Sequence, residues 1–219
     1  MKKIIFLFFF INLIFGQPPT ISLNDLWNGN YNPVRLESVR SMKNGTSYTV
    51  LETTSQKATT TVMQYDFNKV NSGTIIVSSD NLPEITSFSN YSFSKNEEKI
   101  ILETEVNPIY RRSKEAIYWT YNKKNKELHK ISDNKIQEPL FSPDATKIAY
   151  VFKRNLFIKD LVSQKKVQVT FDGDYKTLNG ISDWVYEEEF GFVRAFDWSP
   201  DSSALVYMRF GENNMAVVI

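Results

Sequence analysis

Three glutamates stand side by side at Glu187, Glu188 and Glu189, inside the stretch DWVYEEEF that runs from Asp183 to Phe190. Adjacent carboxylates repel one another, and a cation bound between two of them relieves that repulsion. Other chemistries lack their parts. A glycosidase needs two opposed carboxylates across a bond, which neighbours in sequence do not supply. The single histidine, His129, lies in the polar segment KELHKIS, and GISDW at Gly180 lacks the second glycine of a nucleophile elbow. There is no H-E-x-x-H, no P-loop and no G-x-G-x-x-G. With no cysteine there is no disulfide, thiolate metal ligand or cysteine nucleophile. The expectation is therefore no metal and no cofactor.

Asp183 suits the N-cap of a short helix, and carboxylates in the first turn suit the positive end of its dipole. On that reading Trp184, Tyr186 and Phe190 plug the helix onto the body of the protein. Consecutive helical residues fan about 100° apart, so the three glutamates cannot all face water while the aromatics dock. At least two then share one rim. Two readings stay open on chemistry alone: a solvated helix start, or a carboxylate pair that takes a cation.

The surrounding chain is repetitive. FSPDATKIAY (141–150) and WSPDSSALVY (198–207) share an aromatic, Ser-Pro-Asp, three spacers and an apolar stretch ending in tyrosine. FSKNEEKIIL (93–102) is a looser copy, and SMKNGTSYTV, with Asn44-Gly45 as its turn, is a fainter one. Proline and aspartate set a tight turn, and short apolar or alternating strands follow at about ten-residue intervals. A period near 50 residues with several strands per unit is the pattern of a β-propeller blade. The expected fold is all-β: an incomplete β-propeller of about three to four blades, with an inserted helix carrying the glutamates. Blades are expected at about 35–80, 85–133 and 137–180, with a fourth starting near Ala195. No long amphipathic helix is expected after residue 17. The apolar end MAVVI, without a turn or cap, is expected to be an interruption of a longer protein.

The chain has 219 residues and a net charge of +1, from 26 Lys+Arg against 25 Asp+Glu. So even a balance offers no field for nucleic acid. The start, MKKIIFLFFFINLIFGQ, has two lysines, a twelve-residue apolar run from Ile4 to Phe15, and Gly16. It reads as a signal peptide over 1–16, because a bilayer span needs about 20 residues. The mature domain is expected at 17–219, exported to the periplasm or beyond, with no membrane contact after cleavage.

The segment NGISDWVYEEEF, followed closely by FDWSPD, resembles the dipeptidyl peptidase IV family of prolyl-oligopeptidase-like serine peptidases. VRSMKNGTSYTVLE, PIYRRS and FSPDATKIAYVFKRNLFI are similar to the same family's propeller. The resemblance covers nearly all of residues 20–210. It implies an eight-bladed propeller over an α/β-hydrolase domain, and an enzyme that releases N-terminal dipeptides of the Xaa-Pro type. It implies that Glu188 and Glu189 grip the substrate's N-terminal ammonium, that Glu187 lies outside the pair, and that Arg111 is their partner from an earlier blade. Arg112 is the second choice for that role. The implied partner is a peptide with a free N-terminus, and the full-length protein is a possible homodimer. No triad-bearing domain is legible here, so this chain alone is expected to be inactive. The competing expectation is a non-catalytic periplasmic propeller that binds a protein partner.

Overall fold

The computed structural model describes residues 21–32, 38–54 and 58–211. The signal-peptide expectation for 1–16 and the MAVVI end fall outside them. The chain divides into two units, residues 1–36 and 37–219. In the first, a five-residue helix α1 (Leu23–Trp27) follows Ser22. Ser22 Oγ accepts from the Asp25 amide at 3.1 Å, and Asp25 returns a bond from the Ser22 amide at 3.3 Å. This Ser-x-x-Asp capping box is a helix start carried by the local sequence.

The second unit is a series of antiparallel sheets, of which the first three are each made from successive strands. The first holds β1 (Arg40–Ser41), β2 (Ser47–Thr54), β3 (Thr59–Asp66) and β4 (Lys69–Ser78). The second holds β5 (Asn90–Phe93), β6 (Lys99–Pro108), β7 (Lys114–Asn122) and β8 (Leu128–Lys130). The third holds β9 (Gln137–Phe141), β10 (Lys147–Phe152), β11 (Asn155–Asp160) and β12 (Lys166–Gln168). These are three four-stranded blades in order, and no sheet among the described residues closes into a barrel. The architecture is all-β, as a partial propeller requires.

The fourth blade corrects one expected boundary. The strand β13 (Thr177–Asn179), expected inside the third blade, pairs with β16 (Arg209–Gly211) instead. Next to it, β14 (Phe196–Trp198) pairs with β15 (Leu205–Tyr207). Because β15 and β16 are separated by Met208 alone, one continuous edge receives two strand pieces, 177–179 and 196–198. The chain between the pieces carries helix α2 (Trp184–Phe190). The helix is thus an insertion within a blade strand rather than a connection between blades.

The core lies between sheets. Successive side chains of a strand point to opposite faces, so each inner strand feeds two cores. Ile100 and Leu102 of β6 pack with Val62, Val77, Phe88 and Tyr91, while Ile101 between them packs with Ile148 and Tyr150. In β10, Ile148 and Tyr150 face that second core, and Ala149 and Val151 face a third with Leu156, Ile181, Phe196 and Trp198.

The repeats share one turn. The amides of Gly45, Glu97, Ala145 and Ser202 each donate to the carbonyl three residues back, at 2.8–3.1 Å. All four residues have positive φ, between 58° and 70°. Only one copy uses glycine, so the other three carry a left-handed residue with a side chain, at roughly 1–2 kcal/mol each. Asn44, Asn96, Asp144 and Asp201 offset this strain by accepting from the amide two residues on, at 3.0–3.3 Å. The faint copy at Asn44-Gly45 is thus structurally the same unit. The turns also tie neighbouring blades: Lys99 Nζ donates to the Ala145 carbonyl at 2.7 Å, and the Asp144 amide donates to Ser202 Oγ at 3.0 Å.

Candidate amine-binding site

Helix α2 is fixed at both ends. Asp183 accepts from the Tyr186 amide at 2.9 Å as the N-cap. Gly191 ends the helix with φ of 73°, and its amide donates to the Glu187 carbonyl at 3.1 Å. A residue with a Cβ would be strained in that left-handed conformation, which is why glycine suits the position. The expected aromatic plug is not what docks the helix. Trp184 and Phe190 are 57% and 68% exposed. Tyr186 alone reaches the blade edge, its ring 4.9 Å from that of Phe210 and 5.2 Å from that of Phe190.

The buried residue of the helix is Glu187, 2% exposed. Its Oε1 accepts from the backbone amides of Arg112 at 2.8 Å and Ser113 at 2.7 Å. Burial opposes its ionisation, but the hydrogen bonds from Ser113 and Arg112 outweigh it and hold the carboxyl below its usual range. Glu187, expected as a helix-start or solvated carboxylate, does stand in the first turn, but it is not solvated, because its charge is satisfied by backbone amides from another blade.

Those amides belong to the loop between β6 and β7. The loop closes on itself, with the amides of Ile109 and Tyr110 donating to the Ser113 carbonyl at 2.9 and 3.3 Å. Past the loop, Lys114 Nζ lies 2.8 Å from the buried Glu103, which also accepts from Tyr118 Oη at 3.0 Å and Ser89 Oγ at 3.0 Å. Arg111 sits at the tip.

The structure brings Arg111 to Glu188: Nη1 to Oε2 is 3.1 Å, with the arginine side chain 75% exposed and the glutamate side chain 15% exposed. Glu189 is exposed and, among the described residues, has no ion pair. The Arg112 guanidinium lies instead against the helix end, its Cζ 3.7 Å from where a Cβ on Gly191 would stand. Beside Glu187, Tyr110, Ser113, Asp183 and Trp184 line a cleft of about 190 Å³. The site offers one carboxylate half-neutralised by an exposed guanidinium and a second carboxylate open to solvent. That arrangement suits a small cationic group with several donors. Among the described residues, no cluster of three metal-ligating side chains occurs.

The sequence model of the "Dipeptidyl peptidase IV (DPP IV) N-terminal region" family matches residues 94–218, more than half of the chain. The chain belongs to this family. Human prolyl endopeptidase FAP is 30% identical over 206 residues, covering 87% of this chain and 27% of that protein. Dipeptidyl peptidase 4 of Felis catus is 33% identical over 138 residues, covering 60% of this chain and 18% of that protein. The crystal structure of Porphyromonas gingivalis dipeptidyl peptidase 4 superposes with a TM-score of 0.80 at 30% identity, over 89% of this chain and 28% of that one. The chain thus spans less than a third of the length of these relatives. Their names are those of peptidases, and the family model that matches describes an N-terminal region.

The sequence singled out Glu188, Glu189 and Arg111, and it missed what Glu187 does. Nothing in the local pattern says which of three adjacent glutamates packs inward. The deciding partners, Arg112 and Ser113, lie 75 and 74 residues upstream.

Proposed function

We propose that residues 17–219 are the recognition portion of an exported serine-type dipeptidyl peptidase, with residues 1–16 as its export signal. Glu188 and Glu189 bind the free N-terminal ammonium of a peptide. Arg111 holds Glu188 in place and offers its remaining donors to a substrate carbonyl. The observation that carries this reading is the 3.1 Å Arg111–Glu188 pair beside the exposed Glu189, in a chain belonging to the dipeptidyl peptidase IV N-terminal family.

An ammonium has three donors, and two carboxylates can accept two or three of them as charge-assisted bonds. Arginine is better suited than lysine here, because its planar fork can serve a carboxylate and a carbonyl together. Anchoring the amine also measures the chain: two extended residues span about 7 Å. A nucleophile held at that distance would release dipeptides, and an internal segment, which has no ammonium, would leave the carboxylates unpaired. The relatives' names include both a prolyl endopeptidase and dipeptidyl peptidases. Xaa-Pro selectivity is what the family resemblance implies, and dependence on a free amine separates the two kinds of activity. These 219 residues hold no G-x-S-x-G and a single histidine, so the role is selection of substrate, and the chain by itself turns over no peptide.

The test is affinity for the peptide Gly-Pro-Gly-Gly, measured by calorimetry. Glu188→Ala and Glu189→Gln should each weaken binding by about tenfold or more, the order of one charge-assisted bond. Unchanged affinity in both variants would overturn the proposal.

A further inference from the structure

Glu187 is the residue that neither the amine site nor the blade pattern uses. It is a nearly fully buried carboxylate on the same short helix as the proposed clamp. A carboxylate removed from water is costly unless it is paired or hydrogen-bonded. Here the partners are two consecutive backbone amides, Arg112 and Ser113, converging on one oxygen at 2.8 and 2.7 Å. Successive amides of this kind form a concave anion site. In this protein the anion is internal, supplied by the chain itself.

The position of this contact gives it meaning. The residue just before the two amides is Arg111, and the residue just after Glu187 is Glu188. The Arg111 side chain is 75% exposed, so packing does not aim it. Its backbone, however, is held on one side by the loop's own bonds from Ile109 and Tyr110 to the Ser113 carbonyl. On the other side it is held by Glu187. The adjacent Arg112 guanidinium rests near Gly191 at the helix end, where the dipole is negative.

We infer that Glu187 is a positioning residue: its buried carboxylate fastens the Ile109–Ser113 loop to helix α2 and so sets Arg111 against Glu188. The functional part of this inference rests on the amine-clamp reading, and the structural part does not. Removing Glu187 frees the loop without touching either clamp carboxylate. Arg111 then samples solvent, and Glu188 loses its partner.

The experiment has two independent readouts on the full chain. First, amide hydrogen exchange is measured at Arg112 and Ser113, with β6 and β7 amides as internal controls. Glu187→Ala should speed exchange at the two loop amides by at least about tenfold and leave the strand amides unchanged. Glu187→Gln, which keeps an acceptor oxygen, should fall between, and it remains informative if the alanine variant fails to fold. Second, Gly-Pro-Gly-Gly affinity is measured in Glu187→Gln, Arg111→Ala and the double variant. Positioning predicts non-additivity, so Glu187→Gln adds little once Arg111 is gone. Unchanged loop exchange in both Glu187 variants, or fully additive losses of affinity, would overturn the inference. If wild-type protein binds Gly-Pro-Gly-Gly and its N-acetyl form equally, the clamp reading fails instead. Loop exchange then decides on its own whether Glu187 fastens the loop.

Discussion

The blade turns and the α2 insertion use the same chemical group in opposite ways. In the turns, Asp144 and Asp201 spend their carboxylates on their own neighbours. Each accepts a hydroxyl bond of 2.6 Å from the serine two residues before, plus the amide two residues after. These bonds hold both carboxyls down at about 2. On α2, Glu187 reaches a different blade, Glu188 reaches an exposed arginine, and Glu189 is open to solvent. Turn carboxylates are satisfied locally and build the fold. Helix carboxylates are satisfied at long range or left available, and availability is what a binding site needs.

This contrast can be broken most forcefully at Glu188. Replacing it with alanine should weaken binding of a free-amine peptide by about 10- to 100-fold, the range of one or two charge-assisted bonds. Asp144→Ala should leave that affinity unchanged in the same calorimetric assay. A comparable loss from the turn variant would mean that the two regions are not separate in function.

The next largest effect is on stability. Glu187→Leu leaves two inward-facing amides without an acceptor, which costs on the order of 2 kcal/mol in urea unfolding if the loop stays in place. If the loop detaches instead, the midpoint moves less and proteolysis at 109–113 rises. A variant as stable and as protease-resistant as wild type would show that the Glu187 contact is idle.

Acid should affect both regions in the same direction. All three carboxyls have folded values below their unfolded ones, so their stabilisation is present above the unfolded value and is lost as pH falls through the folded one. For Glu187 that loss begins below its ordinary 4.5. For Asp144 and Asp201 it runs from 3.8 down to about 2. Thermal unfolding followed from pH 5 to pH 2 should show Tm falling with pH, and Asp144→Asn should flatten the lower part of that curve. A Tm that rose on acidification would contradict the assignment.

The smallest effect sharpens the comparison from the other side. Asn96 already fills the turn position with an amide oxygen, accepting from Glu98 at 3.3 Å. Asp144→Asn should therefore leave Tm at neutral pH nearly unchanged, whereas Glu188→Gln should not be neutral for peptide affinity.

The same contrast explains how far the sequence could be read. Turn bonds span two or three residues, so Ser-Pro-Asp and even Asn-Gly announced four equivalent turns and the blade spacing that follows from them. The Asp183 cap and the helix it starts were legible for the same reason. The split strand of the fourth blade was not, because β13 finds its partner about 30 residues later, across the inserted helix. Nor was the inward turn of Glu187, or the failure of Trp184 and Phe190 to dock. Those depend on which surface faces the helix, and that surface is set by the β6–β7 loop and by Phe210 of β16. Glu188, Glu189 and Arg111 were named through a family resemblance, and the fold supplies the proximity of Arg111 to Glu188.

The central claim is that these helix carboxylates read a peptide's free amine. The direct measurement is the affinity of the wild-type chain for Gly-Pro-Gly-Gly against that for its N-acetylated form, at one pH and salt concentration. The account predicts that acetylation weakens binding by about tenfold or more, because it removes the charge and two of the three donors. Equal affinity for the two peptides would contradict it.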